Sequence, residues 1–215
     1  MKKIKVGILG ATGMVGQNYL CLLENHPWFE IIDLAASPNS SGKFYKEAVN
    51  EKWLMNNEIP AKYENFIVRD SYDFDSIPND IQLFFSAMDL PKKEATREFE
   101  FKYASQGFPV ISNSSANRWT EDVPMIIPEI NPQHAEIIPI QQQNRNLPKT
   151  GFVAVKPNCS IQSYLIGLYA LEKAGLAPGR TIIVKKANGK SYDIETEKGT
   201  LSLDGDLASK IIVQN

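Results

Sequence analysis

One cysteine lies in the segment KPNCSI, between a Pro-Asn pair and the start of an apolar run. The thiol of Cys159 could pack in a core, form a disulfide, bind a metal or act as a nucleophile. The chain has two cysteines and two histidines, and none of them have the spacing of paired metal ligands. With Cys21 as the other cysteine, neither a disulfide framework nor a metal site is expected.

The residues that follow Cys159 predict a helix that ends at Gly175. Apolar residues on one face of this helix are Ile161, Tyr164, Leu165, Leu168 and Leu171. Cys159 would then lie at the amino end of the helix, where the positive end of the helix dipole stabilises a thiolate. Cys21 instead lies among apolar residues within a helix, as is typical of a buried thiol. By position alone, the nucleophilic and structural roles of Cys159 remain equally open.

A glycine-rich segment, GATGMVG, could bind a diphosphate. Gly10, Gly13 and Gly16 lie directly between the first predicted strand and its helix. In dinucleotide-binding folds such glycines permit the turn, allow the backbone to approach the diphosphate and let helix and strand pack closely. The N–H groups at the start of the helix then face the anion. This context favours a dinucleotide site over an ordinary tight turn.

The residues after the second predicted strand favour NADP. Sites that prefer NAD usually have a carboxylate at this strand end, which holds the ribose 2′-hydroxyl. Here Ser37 occupies that place, and Asp33 is mid-strand, pointing into the interior. Ser37, Ser40 and Lys43 could donate to a 2′-phosphate. The alternative is a polar surface turn, which the Ser, Asn and Gly of this segment also favour.

The elements that must position these residues are those of an α/β protein. Strand-like and helix-like segments alternate, which predicts a Rossmann-type doubly wound parallel sheet. The predicted strands are KIKVGIL, EIIDLAAS, FIVRD, DIQLFFSA, FPVISN and GFVAV, and the predicted helices between them include MVGQNYLCLLENH and PKKEATREFEFKYASQG. We expect the proline-rich stretch 124–139 to be irregular. After Gly175, the turn signals KANGKS, EKGT and LDGD predict a small β-meander.

The amino-acid composition limits the classes of partner and the cellular compartment that we expect for this protein. The net charge of −2 gives no strongly basic face, so we do not expect nucleic acid as a partner. No apolar run approaches the roughly 20 residues of a membrane span, and the amino terminus lacks the features of a signal peptide. The low cysteine count suits a reducing compartment. We therefore expect a cytoplasmic protein that acts on small molecules.

Several motifs, taken in order, resemble aspartate-semialdehyde dehydrogenases, most closely the archaeal and fungal branch. The motifs are KVGILGATGMVGQ, AASPNSSGKFY, FFSAM, PVISNSSANRW, DVPMIIPEINPQH and KPNCSI, and the resemblance covers roughly residues 3–173. The PNC triplet favours this enzyme over the related malonyl-CoA reductases, which remain an alternative.

The resemblance implies phosphate-dependent oxidation of L-aspartate 4-semialdehyde to 4-phospho-L-aspartate with NADP, a reaction of lysine, methionine and threonine biosynthesis. Cys159 would be the nucleophile, and Asn158 would orient the substrate or stabilise the oxyanion. Arg118 would hold the phosphate, since its guanidinium donors match that anion, and Asn113 in a neighbouring turn would belong to the same substrate or phosphate site.

The resemblance also implies the residues that bind the cofactor. These are Gly10, Thr12, Gly13, Met14 and Val15 at the diphosphate, Ser37 and Ser40 at the 2′-phosphate, and Ser86, Ala87, Ser112 and Ser114 at strand ends. One departure concerns specificity, because the family often has Arg where this chain has Asn39. NAD is therefore the alternative cofactor.

The resemblance ends near Gly175. We expect an NADP-binding domain over residues 1–156, the cysteine and its helix over 157–175, and an unassigned β-hairpin-like tail over 176–215. The family's second α+β domain, with its catalytic histidine and dimer contacts, has no counterpart, so the homo-oligomeric state of the family does not transfer. The alternative function is a truncated or non-catalytic NADP-binding module.

Overall fold

The structure, a computed structural model, describes residues 2–187 and 191–205. The chain divides into two compact units at the bond between Asn158 and Cys159. In the first unit the elements are β1 (Ile4–Leu9), α1 (Met14–Leu23), β2 (Phe29–Ala36), α2 (Tyr45–Val49), β3 (Arg69–Asp70), β4 (Leu83–Ser86), α3 (Lys93–Ser105), β5 (Pro109–Ser112), α4 (Ile138–Arg145) and β6 (Phe152–Val155). Short 3₁₀ turns cover Asn50–Lys52 and Pro132–Ile137.

The six strands of the first unit form one sheet in the order β3-β2-β1-β4-β5-β6. Every neighbouring pair is parallel. The order reverses between β1 and β4, because the chain moves outward in one direction through β2 and β3 and then returns to the other side of β1. This topology confirms the predicted Rossmann-type doubly wound fold, in which ligands bind at the reversal point.

Both faces of the sheet are buried in apolar clusters. Val6 and Ile8 of β1 belong to one cluster, with Leu20 of α1, whereas Leu9 belongs to the other, with Phe99 of α3. Successive strand residues point to opposite faces, so a strand covered on both sides must be apolar at every position. Burial of both faces therefore explains why the apolar residues of KVGIL are continuous rather than alternating.

Asp33 lies in the interior, as its mid-strand position predicts. It is 5% exposed, and Arg69 of β3 donates to it from Nε at 3.0 Å and from Nη2 at 2.7 Å. Arg69 also donates to the carbonyl oxygens of Asp70 and Asp73, at 3.0 and 2.8 Å. The carboxylate of Asp33 is thus used within the sheet rather than at the ligand edge.

The proline-rich segment is more regular than the sequence predicts. Pro132 opens the 3₁₀ turn and Pro139 lies in the first turn of α4, where a missing N–H costs no hydrogen bond. The expectation of an irregular segment through Pro139 is therefore wrong at its carboxyl end. The predicted strand FIVRD is also shorter, with only Arg69–Asp70 in β3.

The second unit contains α5 (Cys159–Lys173) and an antiparallel sheet of β7 (Ile183–Ala187), β8 (Ser191–Thr196) and β9 (Gly199–Asp204). Gly175 follows α5 with a φ of 84°, as a helix-ending glycine requires. The predicted meander is present, with EKGT at the β8–β9 turn, although residues 188–190 of KANGKS lie outside the described residues. The predicted turn at LDGD is wrong for Leu203 and Asp204, which belong to β9. Asp206 lies outside the described residues. Across residues 2–187 and 191–205, none of the helices is long and apolar enough to cross a membrane.

Candidate functional site

The sheet register brings the predicted site segments to one edge. Leu9 pairs with Ala35 on one side and Ser86 on the other, and Ser86 pairs in turn with Ser112. Ser112 pairs with Val155 of β6. Because these strands are parallel, the residues that follow each of them lie at the same carboxyl edge of the sheet. The glycine loop, the Ser37 turn, Ala87 and Asn113 therefore share this edge.

The glycine loop has the close packing that its glycines predict. Gly10 has a φ of 76°, and a Cβ there would lie 2.9 Å from the carbonyl oxygen of Ala87. A Cβ on Gly16 would lie 2.3 Å from the carbonyl oxygen of Gly10. Gly13 differs, because its nearest neighbour would be 3.5 Å away. Gly10 and Gly16 are thus required for packing, whereas Gly13 leaves space at the loop surface.

The start of α1 suits an anion. Gly13 is the N-cap residue and has no side chain to bond the first N–H groups of the helix, which begins at Met14 and Val15. Such N–H groups have no partner within a helix. Thr12 lies just before this point and is half-buried. The loop from Gly10 to Val15 therefore fits the diphosphate of a dinucleotide.

The segment after β2 forms a tight polar turn. Ser40 and Ser41 donate their N–H groups to the carbonyl oxygen of Ser37, at 2.9 and 3.2 Å. Lys43 Nζ donates to the carbonyl oxygen of Asn39 at 2.9 Å. Ser37 is exposed and Ser40 is half-buried. The turn thus presents two serine side chains and one ammonium group within a short stretch of chain.

Two predicted cofactor residues have their hydroxyl groups engaged in the protein interior. Ser86 and Ser112 are buried, and their Oγ atoms donate to Glu100 Oε1 at 2.8 and 2.5 Å. Burial raises the pKa of Glu100, and hydrogen bonds from Ser112, Ser86 and Asn117 oppose that rise. Contacts from Ser86 or Ser112 to a ligand would therefore have to use their backbone groups.

Glu100 also organises the turn after β5. Its Oε2 accepts a hydrogen bond from Asn117 Nδ2 at 2.9 Å, and Asn117 is fully buried. In the same turn the Oγ atom of Ser112 accepts the N–H of Ser114 at 3.1 Å. The Oγ atom of Ser114 accepts the N–H of Ala116, also at 3.1 Å. The turn that precedes Arg118 is thus fixed from within.

Arg118 lies beside the carboxyl ends of β5 and β6. Its Nη2 donates to the carbonyl oxygen of Asn113 and its Nε to that of Lys156, each at 3.3 Å. The side chain is half-buried. A guanidinium has five N–H donors, and these two bonds use only part of that set. Among the described ion pairs Arg118 has no carboxylate partner, which suits a residue that binds a phosphate.

Asn158 and Cys159 lie at the junction of the two units. Asn158 is the last residue of the first unit, and Cys159 is the first residue of α5, as the sequence predicts. Both residues are exposed. Within residues 2–187 and 191–205, the structure contains no cluster of three His, Cys, Asp or Glu side chains that could hold a metal ion.

Glu100, Gln17 and Tyr45 are not among the predicted site residues, although each bonds to a segment of the site. A signal existed for Glu100, which follows Thr96 by four residues and therefore lies on the same buried helix face. A charged residue on a buried face needs polar partners. Gln17 and Tyr45 are uncharged and carry no such signal. Tyr45 bonds to Ala11, 34 residues away, and Gln17 bonds both to nearby Thr12 and to the distant segment 52–54.

A parallel sheet with a glycine loop at its reversal point and a helix that starts at that loop defines a Rossmann-type dinucleotide-binding domain. The family model "Semialdehyde dehydrogenase, NAD binding domain" matches residues 5–138, more than half of the chain. The chain belongs to this family.

Proteins with similar sequences carry the name aspartate-semialdehyde dehydrogenase. The protein of Archaeoglobus fulgidus is 40% identical over 192 residues, which cover 88% of this chain and 52% of the relative. That of Methanothermobacter thermautotrophicus is 36% identical, over 97% of this chain and 63% of the relative. The chain spans about half the length of the first of these relatives and less than two thirds of the second.

A solved structure has a similar fold. The crystal structure of aspartate-semialdehyde dehydrogenase with NADP from Candida albicans superimposes with a TM-score of 0.68 at 26% identity. The match covers 88% of this chain and 57% of that protein. These similarities confirm the predicted resemblance to the archaeal and fungal enzymes.

Proposed function

We propose that the chain is the NADP-binding and thiol-bearing part of an aspartate-semialdehyde dehydrogenase. The observation that carries the proposal is the glycine loop at the reversal point of the sheet, with Arg118 tethered at the neighbouring strand ends. The names of the relatives and the NADP in the fungal crystal structure support the substrate and the cofactor.

In this proposal, the backbone from Gly10 to Val15 holds the cofactor diphosphate. Ser37 and Ser40 bind the 2′-phosphate, and Lys43 adds a positive charge. The backbone at Ser86, Ala87, Ser112 and Ser114 lines the remaining cofactor edge. Bound NADP supplies the acceptor for the hydride that leaves the substrate. NAD is the weaker ligand, because it has no 2′-phosphate for the Ser37 turn to bind.

The chemistry of the chain itself begins at Cys159. Its thiolate attacks the aldehyde carbon of L-aspartate 4-semialdehyde and forms the oxyanion of a thiohemiacetal, with Asn158 orienting the substrate or donating to this oxygen. Loss of hydride converts this adduct into a thioester. Inorganic phosphate, held by Arg118 with Asn113 beside it, attacks the thioester carbonyl. The products are 4-phospho-L-aspartate and the regenerated thiolate.

The same proposal includes the division of the chain and its location. Residues 1–156 bind the cofactor, residues 157–175 supply the cysteine and its helix, and the tail over 176–215 has no assigned role. A cytoplasmic location is supported by the low cysteine count and by the biosynthetic reaction.

The test is phosphate-dependent formation of NADPH from the semialdehyde and NADP. We expect turnover with the unaltered chain and with Cys21→Ala, a control that removes the other thiol, and only background turnover with Cys159→Ala. Turnover that persists in Cys159→Ala would contradict the assignment of Cys159 as the nucleophile.

A second candidate is a dinucleotide-binding module without turnover. It is favoured by one observation, that the family model matches residues 5–138, which include the glycine loop but not Cys159. NADP binding without NADPH formation in the unaltered chain would support this module over the enzyme.

A further inference from the structure

Two buried side chains bind the carbonyl groups of the glycine loop. Tyr45, at the start of α2, is 0% exposed, and its Oη donates to the carbonyl oxygen of Ala11 at 2.9 Å. Gln17 of α1 is also 0% exposed, and its Nε2 donates to the carbonyl oxygen of Thr12 at 2.9 Å. These bonds attach two consecutive carbonyls of the loop to side chains in the protein interior.

Gln17 makes two further hydrogen bonds in the same network. Its Nε2 also donates to the carbonyl oxygen of Lys52 at 2.8 Å, and its Oε1 accepts the N–H of Leu54 at 2.8 Å. The amide is therefore bonded through both of its ends, and the orientation of its N–H₂ group toward Thr12 is fixed by Leu54. The stretch from 52 to 54 thus supports the glycine loop through one side chain.

The planar geometry of the peptide group makes these carbonyl contacts important for an anion. In a trans peptide the C=O and the following N–H point in opposite directions, and the described residues contain no cis peptide bond. A carbonyl of Ala11 that points toward Tyr45 therefore directs the N–H of Thr12 away from Tyr45. If this peptide rotated, the loop would present a carbonyl oxygen to the diphosphate, and that contact is repulsive.

We propose that Tyr45 and Gln17 are positioning residues of the dinucleotide site. They hold the Ala11 and Thr12 carbonyls in the interior, so that neither oxygen faces the diphosphate. The N–H of Thr12 is thereby directed away from Tyr45, whereas the N–H of Gly13 is bonded within the loop to the carbonyl oxygen of Gly10 at 3.1 Å. This inference rests on the proposed dinucleotide binding and identifies residues that determine affinity without touching the ligand. Since every dinucleotide shares the diphosphate, the loss of either side chain weakens NADP and NAD in similar proportion.

The chain offers a matched control for each residue. Tyr63 is also fully buried, and among the described residues its Oη has no hydrogen-bond partner. Gln141 is fully buried and repeats the bonding pattern of Gln17. Its Nε2 donates to the carbonyl oxygens of Asp122 and Val153, and its Oε1 accepts the N–H of Val153. Gln141 belongs to α4 and bonds to Val153 of β6 rather than to the glycine loop.

The experiment compares Tyr45→Phe with Tyr63→Phe, and Gln17→Leu with Gln141→Leu. Dissociation constants for NADP and NAD are measured by calorimetry, and melting temperatures by circular dichroism. We expect Tyr45→Phe to raise both dissociation constants about fivefold, and Gln17→Leu about tenfold or more, in line with the loss of typical hydrogen bonds. Tyr63→Phe and Gln141→Leu should change them less than about twofold, although Gln141→Leu lowers the melting temperature as much as Gln17→Leu.

Equal effects on affinity from Gln17→Leu and Gln141→Leu would overturn the inference, and so would unchanged affinity in Tyr45→Phe. If Gln17→Leu does not fold, the two tyrosine variants decide the matter, because each removes a single oxygen atom. A lack of dinucleotide binding by the unaltered chain would overturn the proposed function and this inference with it. Binding that is present but insensitive to Tyr45 and Gln17 would overturn the inference alone.

Discussion

Glu100 is a fully buried acidic residue, an uncommon environment for its type. Its carboxylate is fully buried within α3 and accepts hydrogen bonds from Ser86, Ser112 and Asn117. These donors belong to β4, β5 and the turn before Arg118. One side chain therefore connects two strand ends of the cofactor edge with the turn that carries the proposed phosphate ligand.

Removal of this carboxylate should destabilise the fold. Glu100→Leu leaves three buried donors without their acceptor, and each such group costs about 1–3 kcal/mol. We expect the free energy of unfolding to fall by about 2–4 kcal/mol in a urea titration, since the serine hydroxyls can rotate toward other acceptors. Glu100→Gln is the control, because its amide oxygen can still accept from Asn117. Equal losses in the two variants would contradict the role of the acceptor.

The same residue should produce a pH dependence of stability. Burial raises the pKa of Glu100 in the folded state above its ordinary value of 4.5. Between these two values the unfolded chain loses the proton while the folded chain keeps it, so the free energy of unfolding falls as pH rises. The stabilisation is complete below the unfolded pKa. Glu100→Gln should lack this slope, and parallel pH curves for the two proteins would show that Glu100 does not cause it.

Gly13 should separate ligand binding from folding. It has a φ of −80°, which alanine adopts readily, and an added Cβ meets no atom closer than 3.5 Å. We expect Gly13→Ala to fold with near-normal stability but to bind NADP at least about tenfold more weakly, because the methyl group occupies the approach of the diphosphate. Calorimetry and thermal unfolding measure the two effects.

Gly16→Ala is the contrasting variant. Its Cβ would lie 2.3 Å from the carbonyl oxygen of Gly10, so the backbone must move and stability must fall. Gly167→Ala, where no atom lies within 4 Å of the added Cβ, provides the control for a helical glycine and should be stabilising by about 0.5–1 kcal/mol. For the Gly13→Ala variant, an unchanged affinity for NADP would contradict the proposed position of the diphosphate beside Gly13.

At the scale of elements, the ion pair of Asp33 and Arg69 links β2 to the short edge strand β3. Only Ala35 and Ala36 pair with β3 through the backbone, so side-chain bonds supply much of the connection. Arg69 also donates to the carbonyl oxygens of Asp70 and Asp73, and the Tyr103 hydroxyl donates to that of Ser71 at 2.7 Å. The chain after β3 is thereby tied to the sheet and to α3.

Replacing Arg69 alone should lower the free energy of unfolding more than replacing Asp33 and Arg69 together. Arg69→Met leaves a buried, uncompensated Asp33 carboxylate, and we expect a loss of about 3–5 kcal/mol in the free energy of unfolding. The double variant Asp33→Leu with Arg69→Met should recover a large part of that loss, because no charge stays buried. Urea unfolding of the single and double variants measures the difference. A double variant no more stable than Arg69→Met would contradict an ionised carboxylate at this position.

The sequence predicts the elements better than the contacts between them. The apolar runs of β1 and β4 and the glycine loop are local signals, and the structure has them at the expected places. The sequence does not predict α4, because Pro139 suggests a helix breaker, although a first-turn proline costs no hydrogen bond. The bond from Tyr45 to Ala11 spans 34 residues and depends on the sheet order, so no local pattern indicates it.

A similar limit applies to α5. The periodicity correctly predicts a helix, but it does not predict how far the apolar side chains are covered. Tyr164 and Leu168 are each 53% exposed. A spacing of three and four residues identifies a face of a helix, whereas burial depends on which other element lies against that face.

In the molecule as a whole, we infer that the carboxyl edge of the parallel sheet binds NADP. Each site segment in the first unit reaches that edge through the strand register, and the family model covers the same unit through residue 138. Binding of NADP at this edge does not require turnover, because it involves only the first unit. It therefore holds equally for the enzyme and for the non-catalytic module.

Calorimetric titration of the unaltered chain with NADP, followed by NAD, measures this binding. We expect one saturable site per chain, with a dissociation constant for NADP between about 1 μM and 1 mM, the range in which Michaelis constants usually lie. NAD should bind to the same site more weakly. A chain that is folded by circular dichroism but shows no saturable binding of NADP or NAD at concentrations of about 1 mM would contradict it.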